Sequence, residues 1–117
     1  MPAHSSPSKT LSVLIFYPSG GFECKNIDNS LSALQKIVGG HIEAVYDPHC
    51  IAGHAYCNDE GMILGLPLNA NAEKYLGVRI CGNVVLLSHD ERGEECSVRI
   101  EQIKGVLNSI FGLPQAE

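Results

Sequence analysis

The run Leu11-Ser-Val-Leu-Ile-Phe-Tyr17 turns Leu11, Val13, Ile15 and Tyr17 to one side of an extended chain and Ser12, Leu14 and Phe16 to the other. Apolar groups on both sides describe a strand covered on both faces, which belongs at the centre of a sheet. With 117 residues the chain has room for one domain, burying roughly 65% of its unfolded surface. An apolar fraction of 44% and a mean hydropathy of +0.05 exclude disorder. No apolar stretch approaches the roughly 20 residues of a bilayer span. A net charge of −5 with only 8 Lys and Arg leaves too few cations to track a phosphate backbone, so broad nucleic-acid binding is not expected.

The rest of the chain alternates strand and helix signals. Pro18-Ser19-Gly20-Gly21 reverses the first strand into a second, Phe22 to Ile27. Asp28-Asn29-Ser30 offers cap oxygens before Leu31, Leu34, Ile37 and Val38, a helical stripe stopped by Gly39-Gly40. A period-two segment from His41 and a strand from Ile51 to Cys57 follow. Asn58-Asp59-Glu60-Gly61 is a turn, after which Met62 to Leu64 reads as a short strand. The stretch Gly65 to Gly77 is irregular, with one helical turn near Ala72 to Leu76. Ile80 to Leu87 is a strand whose Gly82 implies a bulge or a close backbone approach. A final helix, capped by Ser97, carries Ile100, Ile103, Leu107, Ile110 and Phe111 and ends at Gly112 and Pro114.

The expectation is therefore an α+β domain at 11–113, between a flexible tail at 1–10 and a C-terminal tail at 114–117. Its order is β-β-α-β-β-β-β-α, a mostly antiparallel sheet with two helices on one face. Five cysteines without an even, dense framework suit reduced thiols in a cytoplasm. The short apolar run after a Ser- and Pro-rich start is not a signal segment.

Four metal-type ligands, His49, Cys50, His54 and Cys57, fall within nine positions. On a strand, His54 and Cys57 point to opposite faces, so no metal is expected there. Ser88-His89-Asp90 has triad residue types, but sequence neighbours do not reach relay geometry. Cys96 follows Glu94 and Glu95, which oppose its ionisation. Asp59 or Glu60 as a general base would need burial, which a turn beside Gly61 does not offer. No catalytic residue and no cofactor is assigned, and the chain is read as a non-enzyme.

Cys57 to Asn71 is the segment richest in ligand-type groups. Asn58, Asp59, Glu60, Asn69 and Asn71 supply hydrogen-bonding groups, Gly61 an adaptable backbone, and Tyr56, Leu66 and Pro67 apolar walls. These nine residues form the candidate binding site.

Asp28 to Glu43 (DNSLSALQKIVGGHIE), Tyr56 to Gly61 (YCNDEG), Gly65 to Asn69 (GLPLN) and Gly77 to Leu86 (GVRICGNVVL) follow one another in that order. In this the chain resembles a family of domains of unknown function met in bacteriophages, plasmids and other mobile elements, over about Leu11 to Leu107. The LQxIVGGxIE and CNDEG motifs carry the likeness. It implies an accessory protein of a mobile element and brings no catalytic residues. In that context a homo-oligomer that captures a small polar ligand, such as a nucleotide immune signal, is the first expectation. The rival is a protein-interaction module in which Asp90, Glu91, Glu94 and Glu95 mimic nucleic acid or block a host protein.

Overall fold

A computed structural model describes residues 9–47, 53–92 and 94–111. Of the tail expected at 1–10, Thr10 already belongs to the first strand; 1–8, His49, Cys50, Ile51 and 112–117 lie outside the described residues. The elements are β1 (Thr10–Phe16), β2 (Phe22–Asp28), α1 (Leu31–Val38), β3 (Ile42–Tyr46), β4 (Gly53–Asn58), α2 (Ala70–Leu76), β5 (Val84–His89), β6 (Glu95–Cys96) and α3 (Ile100–Phe111). One mostly antiparallel sheet runs β2-β1-β5-β4-β3, with β6 paired to the end of β5. The α+β class is as expected.

Each local signal has a visible cause. At the β1–β2 reversal the Gly20 amide donates to the Tyr17 carbonyl at 2.9 Å, with Gly20 at φ 103°. α1 opens with the Ala33 amide donating to Ser30 Oγ at 3.1 Å and closes on Gly39 at φ 81°, the left-handed residue that a helix end favours. Gly82 (φ 92°) allows the expected close approach: its amide donates to the Pro67 carbonyl at 2.7 Å.

β5 lies between β1 and β4, and all six of its residues are buried. Leu11, Val13 and Ile15 of β1 and Val85 and Leu87 of β5 pack with Leu34 and Val38 of α1. Their alternating neighbours, Leu14, Phe16, Val84 and Leu86, pack with Ala72, Tyr75 and Leu76 of α2 and Val106 and Ile110 of α3. The helices are thus divided between the two faces, rather than sharing one as expected. The reason is the doubly apolar centre, which leaves neither face free to meet water.

Four further expectations change. Met62 to Leu64 is turn, not strand, because the chain coils from Glu60 back on itself, the Leu64 amide donating to the Glu60 carbonyl at 2.8 Å. Irregular 65–77 resolves into α2, a seven-residue helix capped by Asn69 and ended by Gly77 at φ 79°. Ser97 does not cap α3; its Oγ accepts the Ser12 amide at 2.8 Å and ties the chain after β6 to β1. Leu31, placed in the packing stripe of α1, is 58% exposed, while Leu34 is 1% exposed.

Leu34 should therefore anchor α1. Leu34→Ala is expected to lower the unfolding free energy by about 2–5 kcal/mol, read as a lower urea midpoint, and Leu34→Asp to abolish the cooperative transition. A wild-type midpoint in Leu34→Ala would mean that α1 is dispensable to the core.

Candidate functional site

β4 ends at Asn58, 6% exposed, whose side-chain nitrogen and oxygen are both engaged: Nδ2 donates to the Val38 carbonyl at 3.1 Å and Oδ1 accepts the Glu60 amide at 2.7 Å. The second bond is an Asx turn that reverses the chain after the strand. Gly61 is buried against Cys81; a Cβ there would stand 2.7 Å from the Cys81 carbonyl oxygen, so only glycine fits. Asn58, Asp59, Glu60 and Gly61 do come together, lining a recess of about 370 Å³ with Glu43, Cys57, Met62, Ile63 and Arg79. Burial pushes the Cys57 thiol up to about 11, and the nearby charges of Glu43 and Asp59 push the same way. The recess is therefore acidic, apart from Arg79, and suits a cation better than a phosphate.

The other five candidate residues lie elsewhere. Asn69 is fully buried: its Nδ2 donates to the carbonyls of Phe16 (3.0 Å) and Gly82 (2.8 Å), and its Oδ1 accepts the Ala72 amide (3.2 Å). It caps α2 and pins that helix to β1. Asn71 donates to the Gly20 carbonyl at the hairpin tip (3.0 Å). Leu66 packs over Gly82, and Pro67 is exposed. Tyr56 faces the α1 side of the sheet.

Tyr56 instead joins a polar group that sequence reasoning did not assemble. Its hydroxyl donates to Glu95 Oε2 at 2.8 Å and lies 3.5 Å from His89 Nε2, while His89 Nδ1 lies 3.1 Å from His54 Nδ1. Strand register makes the group: Tyr56 sits two residues from His54, His54 pairs with Leu87, and His89 pairs with Glu95. The period-two rule could have put His54 and Tyr56 on one face; the pairing with β5 and β6 was not readable locally. As expected, Cys57 points away from His54, into the opposite core cluster.

On the same α1 face a larger groove of about 510 Å³ opens between the β1–β2 hairpin and α1. Its floor is Ile15, Ile27, Ala33 and Ile37; its polar edge is Lys25, Lys36, Asn26, Ser30, Ser32 and Asn83, with Asp28 the one carboxylate. Neither lysine was singled out for this role by the sequence, because Lys25 on β2 and Lys36 on α1 meet only once α1 crosses the sheet.

The side-chain ties of Asn69 make it structural. Asn69→Ala is expected to lower stability by about 2–4 kcal/mol, through a lost cap and two orphaned carbonyls; urea unfolding within about 0.5 kcal/mol of wild type, the range of neutral surface changes, would contradict it. Alkali supplies a second check. The folded pKa of Cys57 lies above its ordinary 9.0, so its contribution to stability is complete below about pH 9 and lost as the pH rises toward about 11. Tyr56, raised above 10.0 by burial and then by Glu95, adds a loss in the same direction at higher pH. Unfolding free energy should therefore fall from pH 8 to 10.5, less steeply in Cys57→Ala; equal slopes would remove Cys57 as a cause.

No helix among the described residues is long and apolar enough to cross a membrane. No curated protein matches the chain. Among solved structures, the small RNA methyltransferase HEN1 matches with a TM-score of 0.63 at 16% identity, over 91% of this chain and 18% of HEN1. The chain spans under a fifth of that larger protein, and at this identity the likeness is one of fold. The model of a domain of unknown function, DUF3846, matches residues 11–110, from the centre of the sheet to the last turn of α3, and the chain belongs to that family.

Proposed function

We propose that this domain is a non-enzymatic binder of a small anionic ligand, seated in the groove between the β1–β2 hairpin and α1. The observation that carries the reading is the pairing of Lys25 and Lys36 along the edge of a 510 Å³ concavity with an apolar floor. That size falls in the usual range for small-molecule sites, about 300–1,000 Å³. A nucleotide combines a flat apolar base with phosphates, and so matches both parts of the lining. Charge decides against the recess at Cys57 as the phosphate seat, since three carboxylates face it across one arginine. Asn58 and Asn69, both spent on backbone ties, are left as supports rather than ligand contacts. In a mobile element such a domain would sequester a nucleotide immune signal of its host.

A second reading, contact with a protein or a second copy, draws support from Met62, Ile63 and Leu64, which are 64%, 85% and 57% exposed. It moves the interaction surface away from the acidic loop. There Asp90 Oδ1 accepts the amides of Arg92 and Glu94 within the loop, and Glu95 holds Tyr56.

Calorimetric titration of the full chain with linear and cyclic nucleotides should reveal at least one binder. Its affinity should fall at least tenfold in Lys25→Glu/Lys36→Glu and weaken with salt. No heat from any member of the panel, or equal affinity in the double variant, would overturn the groove. A chain that sediments as an oligomer in wild type and as a monomer in Ile63→Asp would support the second reading.

A further inference from the structure

β2 stands at one end of the sheet order, and its residues from Phe22 to Asn26 are all exposed. It pairs with β1 in unbroken register from Thr10–Asp28 to Phe16–Phe22. Proline and bulges, which keep an edge strand from pairing with another chain, are absent from its seven residues. A third such device, a charge in mid-strand, is present as Lys25.

Hydrogen-bond parity fixes which residues face outward. The Tyr17 amide donates to the Gly21 carbonyl at 2.9 Å. The next residues of β2 to exchange bonds with β1 are therefore Glu23, opposite Ile15, and Lys25, opposite Val13. The backbone N–H and C=O of Cys24, between them, point away from β1 and out from the sheet.

A strand added there by a second copy of this chain, related by a two-fold axis, runs antiparallel to β2. With the axis at Glu23 or at Lys25, like charges stand directly opposite each other, which destabilises a strand pair. An axis at Asn26 sets Lys25 against Ile27 and leaves the charges unmatched. With the axis at Cys24, the outward backbone groups of Cys24 meet those of its copy, and each Glu23 stands opposite Lys25 of the second copy. Alternation puts Glu23 and Lys25 on one face, so the pairs are within reach. Glu23 Oε1 accepts the Tyr17 hydroxyl at 2.6 Å, which positions a carboxylate that still has acceptor sites to offer.

We propose that two copies of this chain join through β2, antiparallel about Cys24, with Glu23 and Lys25 setting the register. The lysine that opposes pairing in other registers selects this one. The proposal takes a second copy as the partner and places the contact at the sheet edge rather than at Met62 to Leu64. It does not rest on the ligand of the groove, although Lys25 borders both.

Sedimentation of the full chain without nucleotide, over a range of concentrations, should show a monomer–dimer equilibrium. Its dissociation constant should rise about tenfold or more in Glu23→Lys and in Lys25→Glu, and return toward the wild-type value in the charge swap Glu23→Lys/Lys25→Glu. The swap lacks the Tyr17 bond just as Glu23→Lys does, so its recovery reports the contact between copies. Ile63→Asp should dimerise as wild type. In wild type, hydrogen exchange of the Cys24 amide should slow with concentration more than that of Lys25, whose amide is already bonded to β1. A monomer at every concentration, no recovery in the swap, dissociation caused by Ile63→Asp, or a Cys24 amide whose exchange ignores concentration would each overturn the edge contact.

Discussion

Burial of β5 on both faces, between β1 and β4, is the constraint from which the rest of the molecule follows. A strand with no solvent-facing side has to be roofed above and below. The chain achieves this with two different connections. α1 carries the chain from one sheet edge, β2, to the other, β3, and so lies across one face. The segment from β4 to β5 folds α2 over the opposite face, where α3 later joins it. Each face then acquires its own chemistry at its margins, basic beside α1 and acidic beside the turn after β4.

Buried amides hold this arrangement in place. Asn69 bonds to β1, to the segment before β5 and to the first turn of α2 at once. Asn58 joins the end of β4 to the end of α1. In composition these asparagines look like ligand-binding groups, since the same donors and acceptors serve either purpose. A buried carbonyl left without a partner costs about 1–3 kcal/mol, so in a domain of this size backbone satisfaction claims such side chains first. Asp59 and Glu60, with no such duty imposed on them, remain at the rim of a recess.

The α1 face collects the groups most able to bind something. Lys25 and Lys36 border an open groove, and His54, His89, Tyr56 and Glu95 form a continuous polar chain over β4, β5 and β6. Both sets combine residues from strands or helices distant in sequence. Such assemblies depend on register: a slip of one residue between β4 and β5 would send His54 to the opposite face and dissolve the pair.

Much of the fold was legible locally. The two-sided apolar run of β1, the glycines closing the hairpin and α1, the Ser30 cap and the strand that became β5 are all short-range signals, because propensity, capping and period act over a few residues. Even the division of helices between faces was latent in β1, where Leu14 and Phe16 oppose Val13 and Ile15. The ties of Asn69 to Phe16 and Gly82 and the link from Ser97 to β1 were not legible, since each depends on a partner distant in sequence that only the closed sheet brings near. Local pattern was enough for the α+β class, for a first strand apolar on both sides, and for the turns at Gly20, Gly39 and Asn58. Tertiary structure alone decided which polar side chains are consumed by the backbone and which are left facing a cavity, because a hydrogen-bonding group is assigned by its neighbours in space.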